Sequence, residues 1–218
     1  MPATAFLEEL DAFKDGLIAP LVEAGRSSLS AEAPAGDPAR LLQIALANEI
    51  NVSELAAIWM PSTAELDVKL AFARQTGDEA SHCQLVAGRL AQLGLDARSF
   101  AAPERGPLFD YLRSLTTTVE RVAAGLFTLE SVACAVNENF MALCARLGDH
   151  ETVRIYRDCI QPDERAHQEM GRQLLARYAT TPELQQKARD AVARTLSVAA
   201  GVRARGAERF GTACVPGC

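Results

Sequence analysis

Asp78-Glu79-Ala80-Ser81-His82 and Asp163-Glu164-Arg165-Ala166-His167 repeat one pattern, Asp-Glu-x-x-His, and hold two of the three histidines in this 218-residue chain. On a helix, positions i and i+3 share a face, about 5–6 Å apart at Cβ. Each motif therefore sets a carboxylate beside an imidazole, a pairing that suits a first-row metal ion. A lone motif of this kind is an ordinary solvated helix pair. Two of them, each following a solitary glutamate in an apolar helical stripe, point to one shared site.

Upstream of the first motif, Asp37-Pro38 supplies an N-cap followed by proline at the first helical position. The spacing predicts a helix from there to about Met60, with Leu42, Ala45, Glu49, Val52, Ala56 and Trp59 on one face. Ser62-Thr63-Ala64-Glu65 has the form of a capping box opening a second helix, which carries the first motif and ends at Leu93-Gly94. A long connection, Gly94 to Gly106, leads to a third helix from Pro107 to Leu147. A fourth fills His150 to Ala179, bent by Pro162 just before the second motif.

Two further helices flank these four. Residues 4–25 carry an apolar stripe, Arg26 to Gly36 is a Ser/Ala/Pro/Gly-rich connection, and Thr181-Pro182-Glu183 caps a last helix that fades near Gly206. The chain thus divides into an N-terminal helix and connection (1–36), a helical bundle (37–179), and a C-terminal helix with a cysteine-containing tail (180–218). The outer helices either cover the bundle or form a dimer face.

The candidate ligands are Glu49, Glu79, His82, Glu130, Glu164 and His167, in the order E, ExxH, E, ExxH. Glu130 and the second motif are nearly equidistant from the turn at Gly148, so an antiparallel pairing sets them at one height. Glu138 lies closer to that turn, out of register, and off the stripe of Ala123, Leu126, Phe127, Cys134, Asn137 and Met141 to which Glu130 belongs. Four carboxylates buried in an apolar bundle are strongly destabilising unless neutralised. Two divalent cations would neutralise them. The donor set of imidazole and carboxylate suits iron or manganese; cysteine, which would favour zinc, is absent from the motif.

Composition excludes several classes. The net charge of −6 and the lack of a basic face make nucleic acid an improbable partner. The N-terminal stretch, Met1 to Gly16, contains acids and lacks the basic start and apolar run of a signal peptide, and no window was expected to reach a membrane span. A soluble, cytoplasmic chain with reduced thiols is the expectation. Cys83, Cys134, Cys144 and Cys159 fall in helical patterns as core residues, while Cys214-Val-Pro-Gly-Cys218 is expected as a disordered tail with idle thiols, an electron or iron relay being the alternative.

The motifs resemble those of the ferritin-like di-iron carboxylate superfamily over roughly residues 37–179, Asp-Glu-x-x-His being the signature of its oxygenase and oxidase branches. The resemblance implies an all-α, ferritin-like four-helix bundle with one long crossover. It implies two Fe ions, with Mn as the other choice, and a supporting role for the leading aspartates: Asp78 orienting His167 and Asp163 orienting His82. It further implies O2 as co-substrate, a hydrophobic small-molecule substrate, an external electron donor and, as one arrangement, a homodimer. Phe127, Cys134, Asn137 and Met141 are candidates for lining the substrate cavity, with ordinary core packing as the simpler role. The leading expectation is an O2-activating oxygenase or oxidase. The alternative is an iron- or oxidant-handling protein without an organic substrate: ferroxidase, peroxidase or manganese catalase-like.

Overall fold

A computed structural model describes residues 3–29, 37–97, 106–210, 214, 216 and 217. Among them every regular element is helical. In chain order these are α1 (Ala3–Ser28), α2 (Pro38–Trp59), α3 (Leu66–Gln92), α4 (Pro107–Ser114), α5 (Thr118–Val122), α6 (Glu130–Arg146), α7 (His150–Ile155), α8 (Gln161–Tyr178) and α9 (Pro182–Phe210). Two π-helical segments, Ala123–Leu129 and Tyr156–Ile160, splice α5 to α6 and α7 to α8.

Helix α2 starts as its sequence dictates. Asp37 accepts a hydrogen bond from the Ala39 amide at 3.0 Å, and Pro38 occupies the position whose N–H has no helical partner. Helix α3 does not. It begins at Leu66, because the Ser62 and Thr63 hydroxyls both turn back to the Trp59 carbonyl, at 3.3 and 2.9 Å, and close α2 through the short 3-10 turn Met60–Ser62. Glu65 instead accepts from the Thr118 hydroxyl at 2.6 Å.

The expected single helix from Pro107 to Leu147 is broken at 115–117. Thr117 and Glu120 form a full capping box that opens α5, and Arg121 donates to the Leu115 carbonyl left over at the break, at 3.0 Å. The bend near Pro162 has a more specific cause than the proline alone. Pro162 has no N–H to offer the Asp158 carbonyl, and the chain widens by one residue just before it, with the Gln161 amide reaching Tyr156 O. Most of the crossover, residues 98–105, lies outside the described residues.

Helices α2 and α3 form a tightly packed hairpin, and α8 packs against the first π segment and α6. The closest approach is at Gly171 of α8, where a Cβ would lie 2.7 Å from the Leu126 carbonyl carbon and the Phe127 amide nitrogen. Only glycine lets the two backbones meet there. Helices α1 and α9 cover the bundle: α9 packs on the first π segment, α1, α4 and α5, and α1 on α6 and α8. Their apolar stripes, Phe6, Leu7 and Leu10 on one and Ala188, Val192 and Leu196 on the other, are buried in the same core.

Among the described residues one helical stretch, Pro38–Ser62, is long and apolar enough to cross a membrane by length and composition, with 56% of its window buried. This corrects the expectation that no such window exists. The helix is apolar because it runs through the core, with Leu41, Leu42, Ala45, Leu55, Ala56 and Trp59 enclosed. The five described cysteines, Cys83, Cys134, Cys144, Cys159 and Cys214, are free thiols.

Candidate metal centre

The six glutamates and histidines of the repeated pattern converge in the middle of the bundle, all of them at 1% exposure or less. They form two overlapping groups. Glu49, Glu79, His82 and Glu164 make one; Glu79, Glu130, Glu164 and His167 make the other; within each, one donor atom per residue lies within 4.8 Å of all the rest. Glu79 and Glu164 belong to both groups. Those two occupy the place of shared, bridging carboxylates, while Glu49 with His82 and Glu130 with His167 stand at opposite ends.

The imidazoles are held in matching fashion. His82 Nδ1 faces Glu79 at 3.3 Å and Glu49 at 3.6 Å, and His167 Nδ1 faces Glu79 at 3.4 Å and Glu130 at 3.6 Å. Their Nε2 atoms point outward, His82 to Asp163 at 3.3 Å and His167 to Asp78 at 3.0 Å. Each motif therefore supports the histidine of the other. A carboxylate on Nε2 leaves the Nδ1 lone pair inward, the tautomer a metal ligand needs.

Electrostatics show what the cluster lacks. Burial drives Glu49 and Glu164 well above the ordinary carboxylate range, and the neighbouring carboxylates push Glu164 further the same way. Burial would raise Glu79, but it is held low because the imidazoles of His167 and His82 both lie against it. Burial disfavours the imidazolium of His82 and His167, yet the carboxylates facing them raise each to about 11. Four carboxylates against two imidazoles leave an excess of buried negative charge that cations would offset. Both Glu49 oxygens and His167 Nδ1 are buried without a hydrogen-bond partner. Buried polar atoms in native proteins are seldom left so. The donor set, with four carboxylates and two inward Nδ1 atoms around two adjoining points, fits a pair of first-row ions.

The π segments are placed where they bear on this geometry. The first ends directly before Glu130 and the second a few residues before Glu164. Within the first, the Thr128 hydroxyl donates to the Ala123 carbonyl at 2.6 Å, a side-chain bond across the same five-residue spacing as the widened turn. Glu138, set aside on register, is on the surface with Arg165 and Gln161.

Three buried neighbours of the cluster escaped the sequence. Gln75, one turn before Glu79 on α3, donates to Glu130 Oε1. Its i−4 spacing from Glu79 was the available signal. Tyr156, in the second π segment, is fully buried with no hydrogen-bond partner for its hydroxyl; burial, reinforced by Glu49 among other neighbours, raises its phenol well above the ordinary value. Gln161 donates to the Cys134 carbonyl and to Glu138. Of the four residues considered for a cavity wall, Phe127 is fully buried beneath Lys14, whose Nζ lies 5.0 Å from its ring. Asn137 is fully buried and accepts from the Gly217 amide, Met141 is buried in the core, and Cys134 is half-buried with its thiol raised to about 12, chiefly by burial.

No family model and no curated protein matches the chain. Solved structures do. A domain of unknown function with a heme oxygenase-like fold from Shewanella denitrificans matches with a TM-score of 0.69 and 13% identity, over 97% of this chain and 94% of that one. A TenA homolog from Pseudomonas syringae pv. tomato matches with a TM-score of 0.60 and 14% identity, over 90% and 91%. The fold is heme oxygenase-like. At such identities the likeness concerns the fold alone. Among the described residues the architecture is all-helical. In it α1 and α9 are integral layers of the core rather than additions to a bundle.

Proposed function

We propose that this protein is a non-haem di-iron oxidoreductase that activates O2 at a carboxylate-bridged pair of metal ions within a heme oxygenase-like fold. The observation that carries the reading is the sharing of Glu79 and Glu164 between two four-residue groups, each completed by one glutamate and one histidine. Iron fits this donor set and manganese fits it too. Glu49 and His82 would hold one ion, Glu130 and His167 the other, with Glu79 and Glu164 spanning both. When bound, a pair of ferrous ions supplies the electrons and the O2-binding positions for oxidising an organic substrate.

The chain's own residues account for the rest. Asp78 and Asp163 accept hydrogen bonds from Nε2–H and so fix the imidazole tautomers, and the protons held at Nδ1 and on Glu49 and Glu164 would be given up when ions are bound. Gln75 orients Glu130 by donating to its Oε1. Glu49, with neither oxygen bonded, is the carboxylate freest to change its binding mode. The core through which the ligands run is apolar, with Phe72, Phe127, Ala123 and Leu126 fully buried in it. Such surroundings favour a hydrophobic small molecule as substrate. Two electrons beyond those the substrate gives are needed for a hydroxylation, so an external electron donor belongs to this reading. A homodimer is compatible with it and nothing in the mechanism requires one.

Anaerobic loading with Fe(II) followed by a measured pulse of O2 tests the proposal. Stoichiometric O2 uptake with formation of an oxo-bridged ferric chromophore, and no iron accumulation beyond the pair, supports it. Accumulation of many irons per chain would favour storage, and rapid peroxide breakdown with manganese a catalase-like activity.

A further inference from the structure

The last described residues of the chain return to the metal centre. Cys214, Pro216 and Gly217 are all buried, contrary to the disordered tail expected from sequence; Cys218 lies outside the described residues. Asn48, one residue before Glu49 on α2, donates through Nδ2 to the Pro216 carbonyl at 3.0 Å. Asn137, two turns beyond Glu130 on α6, accepts from the Gly217 amide at 3.0 Å through Oδ1. The tail is therefore held by its backbone, its C=O on one helix and its N–H on another, between the two helices that carry the terminal glutamates. Gly217 adopts φ +82°, and a Cβ there would lie 2.9 Å from Glu49 Oε1 and 3.2 Å from Asn48 Cβ. A glycine is needed on both counts, for the left-handed backbone and for contact with Glu49.

We infer that Pro216 and Gly217 form a plug seated on the Glu49 side of the metal centre, and that exchange of metal and entry of small molecules on that side require its release. The inference rests on the metal centre proposed above and adds its access control. Asn137 is fully buried, so with the tail gone its Oδ1 would face an opened, hydrated approach to Glu49. The two asparagines hold main-chain atoms, so the seat between Asn48 of α2 and Asn137 of α6 engages the backbone of the tail. The occupant is the chain's own C-terminal peptide.

The test uses cobalt(II) as a spectroscopic probe in the full chain, in a variant lacking residues 212–218, and in full-length Gly217→Ala. Each is loaded with cobalt(II) alone, and the visible absorption is followed after excess chelator is added. Both variants are expected to bind as much cobalt as the full chain and to lose it about tenfold faster or more, since exchange scales with the open fraction. A synthetic peptide of residues 212–218 is expected to slow release from the truncated chain again. Should the truncated chain fail to fold by circular dichroism, Gly217→Ala alone decides. Unchanged release rates with full cobalt binding would overturn the plug and leave the metal centre standing. Absence of cobalt binding in all three proteins would overturn the metal centre, and the plug with it.

Discussion

His167 of α8 and Asp78 of α3 meet at 3.0 Å across the core, and His82 with Asp163 makes the reciprocal pair at 3.3 Å. The repeated motif is thus interlocked: each copy supplies a histidine whose Nδ1 faces the buried carboxylates and an aspartate that meets Nε2 of the other copy's histidine.

Removing one such carboxylate should weaken metal binding without removing a ligand. Asp78→Asn is expected to lower metal affinity about 10–100-fold, the usual range for a lost carboxylate–imidazole support. Isothermal titration with Mn(II) would show it. Equal affinities in the variant and the parent would mean that the aspartate is only a surface charge.

Bridging and terminal positions make different predictions. Glu79 belongs to both groups, so Glu79→Ala should abolish binding of both ions, whereas His167→Ala should cost at least one and spare the Glu49–His82 end. Elemental analysis of the purified variants distinguishes these outcomes. Unchanged metal content in His167→Ala would remove it from the ligand set.

Acidity should affect the metal-free and metal-bound chains in opposite senses. His82 and His167 rise from an ordinary value of 6.5 to about 11 when folded. The stability they contribute is fully present below 6.5 and is lost as pH climbs toward 11. Glu49 and Glu164, raised by burial, act the same way from about 4.5 upward, because the folded chain keeps protons that the unfolded chain has released. The melting temperature of metal-free protein should therefore fall between pH 6.5 and 9. The gain on adding Mn(II) should grow over that range, since metal replaces those protons.

Gly171 offers a test of packing independent of metal. Gly171→Ala forces a methyl group into the Leu126–Phe127 backbone and should destabilise the fold by about 1–3 kcal/mol, the common range for overpacking. Urea unfolding of the metal-free chain measures this. The same displacement shifts the π segment that leads into Glu130, so metal affinity should drop as well.

The sequence revealed the site more fully than its surroundings. The i, i+3 spacing and the antiparallel register about Gly148 placed Glu130 above Glu138 because helical rise is uniform, and the structure brings Glu130 into the core and leaves Glu138 at the surface. The cap at Asp37 was equally legible, since it depends on neighbouring residues alone. Ser62 misled because its hydroxyl had two local uses, opening α3 or closing α2, and only the Trp59 carbonyl decided between them. The break at 115–117 depends on Arg121 reaching back to Leu115, and the seat of Gly217 on Asn48 and Asn137, both far from it in sequence. Neither leaves a periodic trace. The same holds for the packing of α1 and α9, which distinguishes the heme oxygenase-like fold from the bundle that the ligand order alone suggests.

The count of metal ions per chain after anaerobic loading, taken together with their magnetic coupling, tests the central claim most directly. Two shared carboxylates between two four-residue groups predict saturation at two ions whose spins are coupled. Saturation at one ion or none, or two ions without coupling, would contradict it.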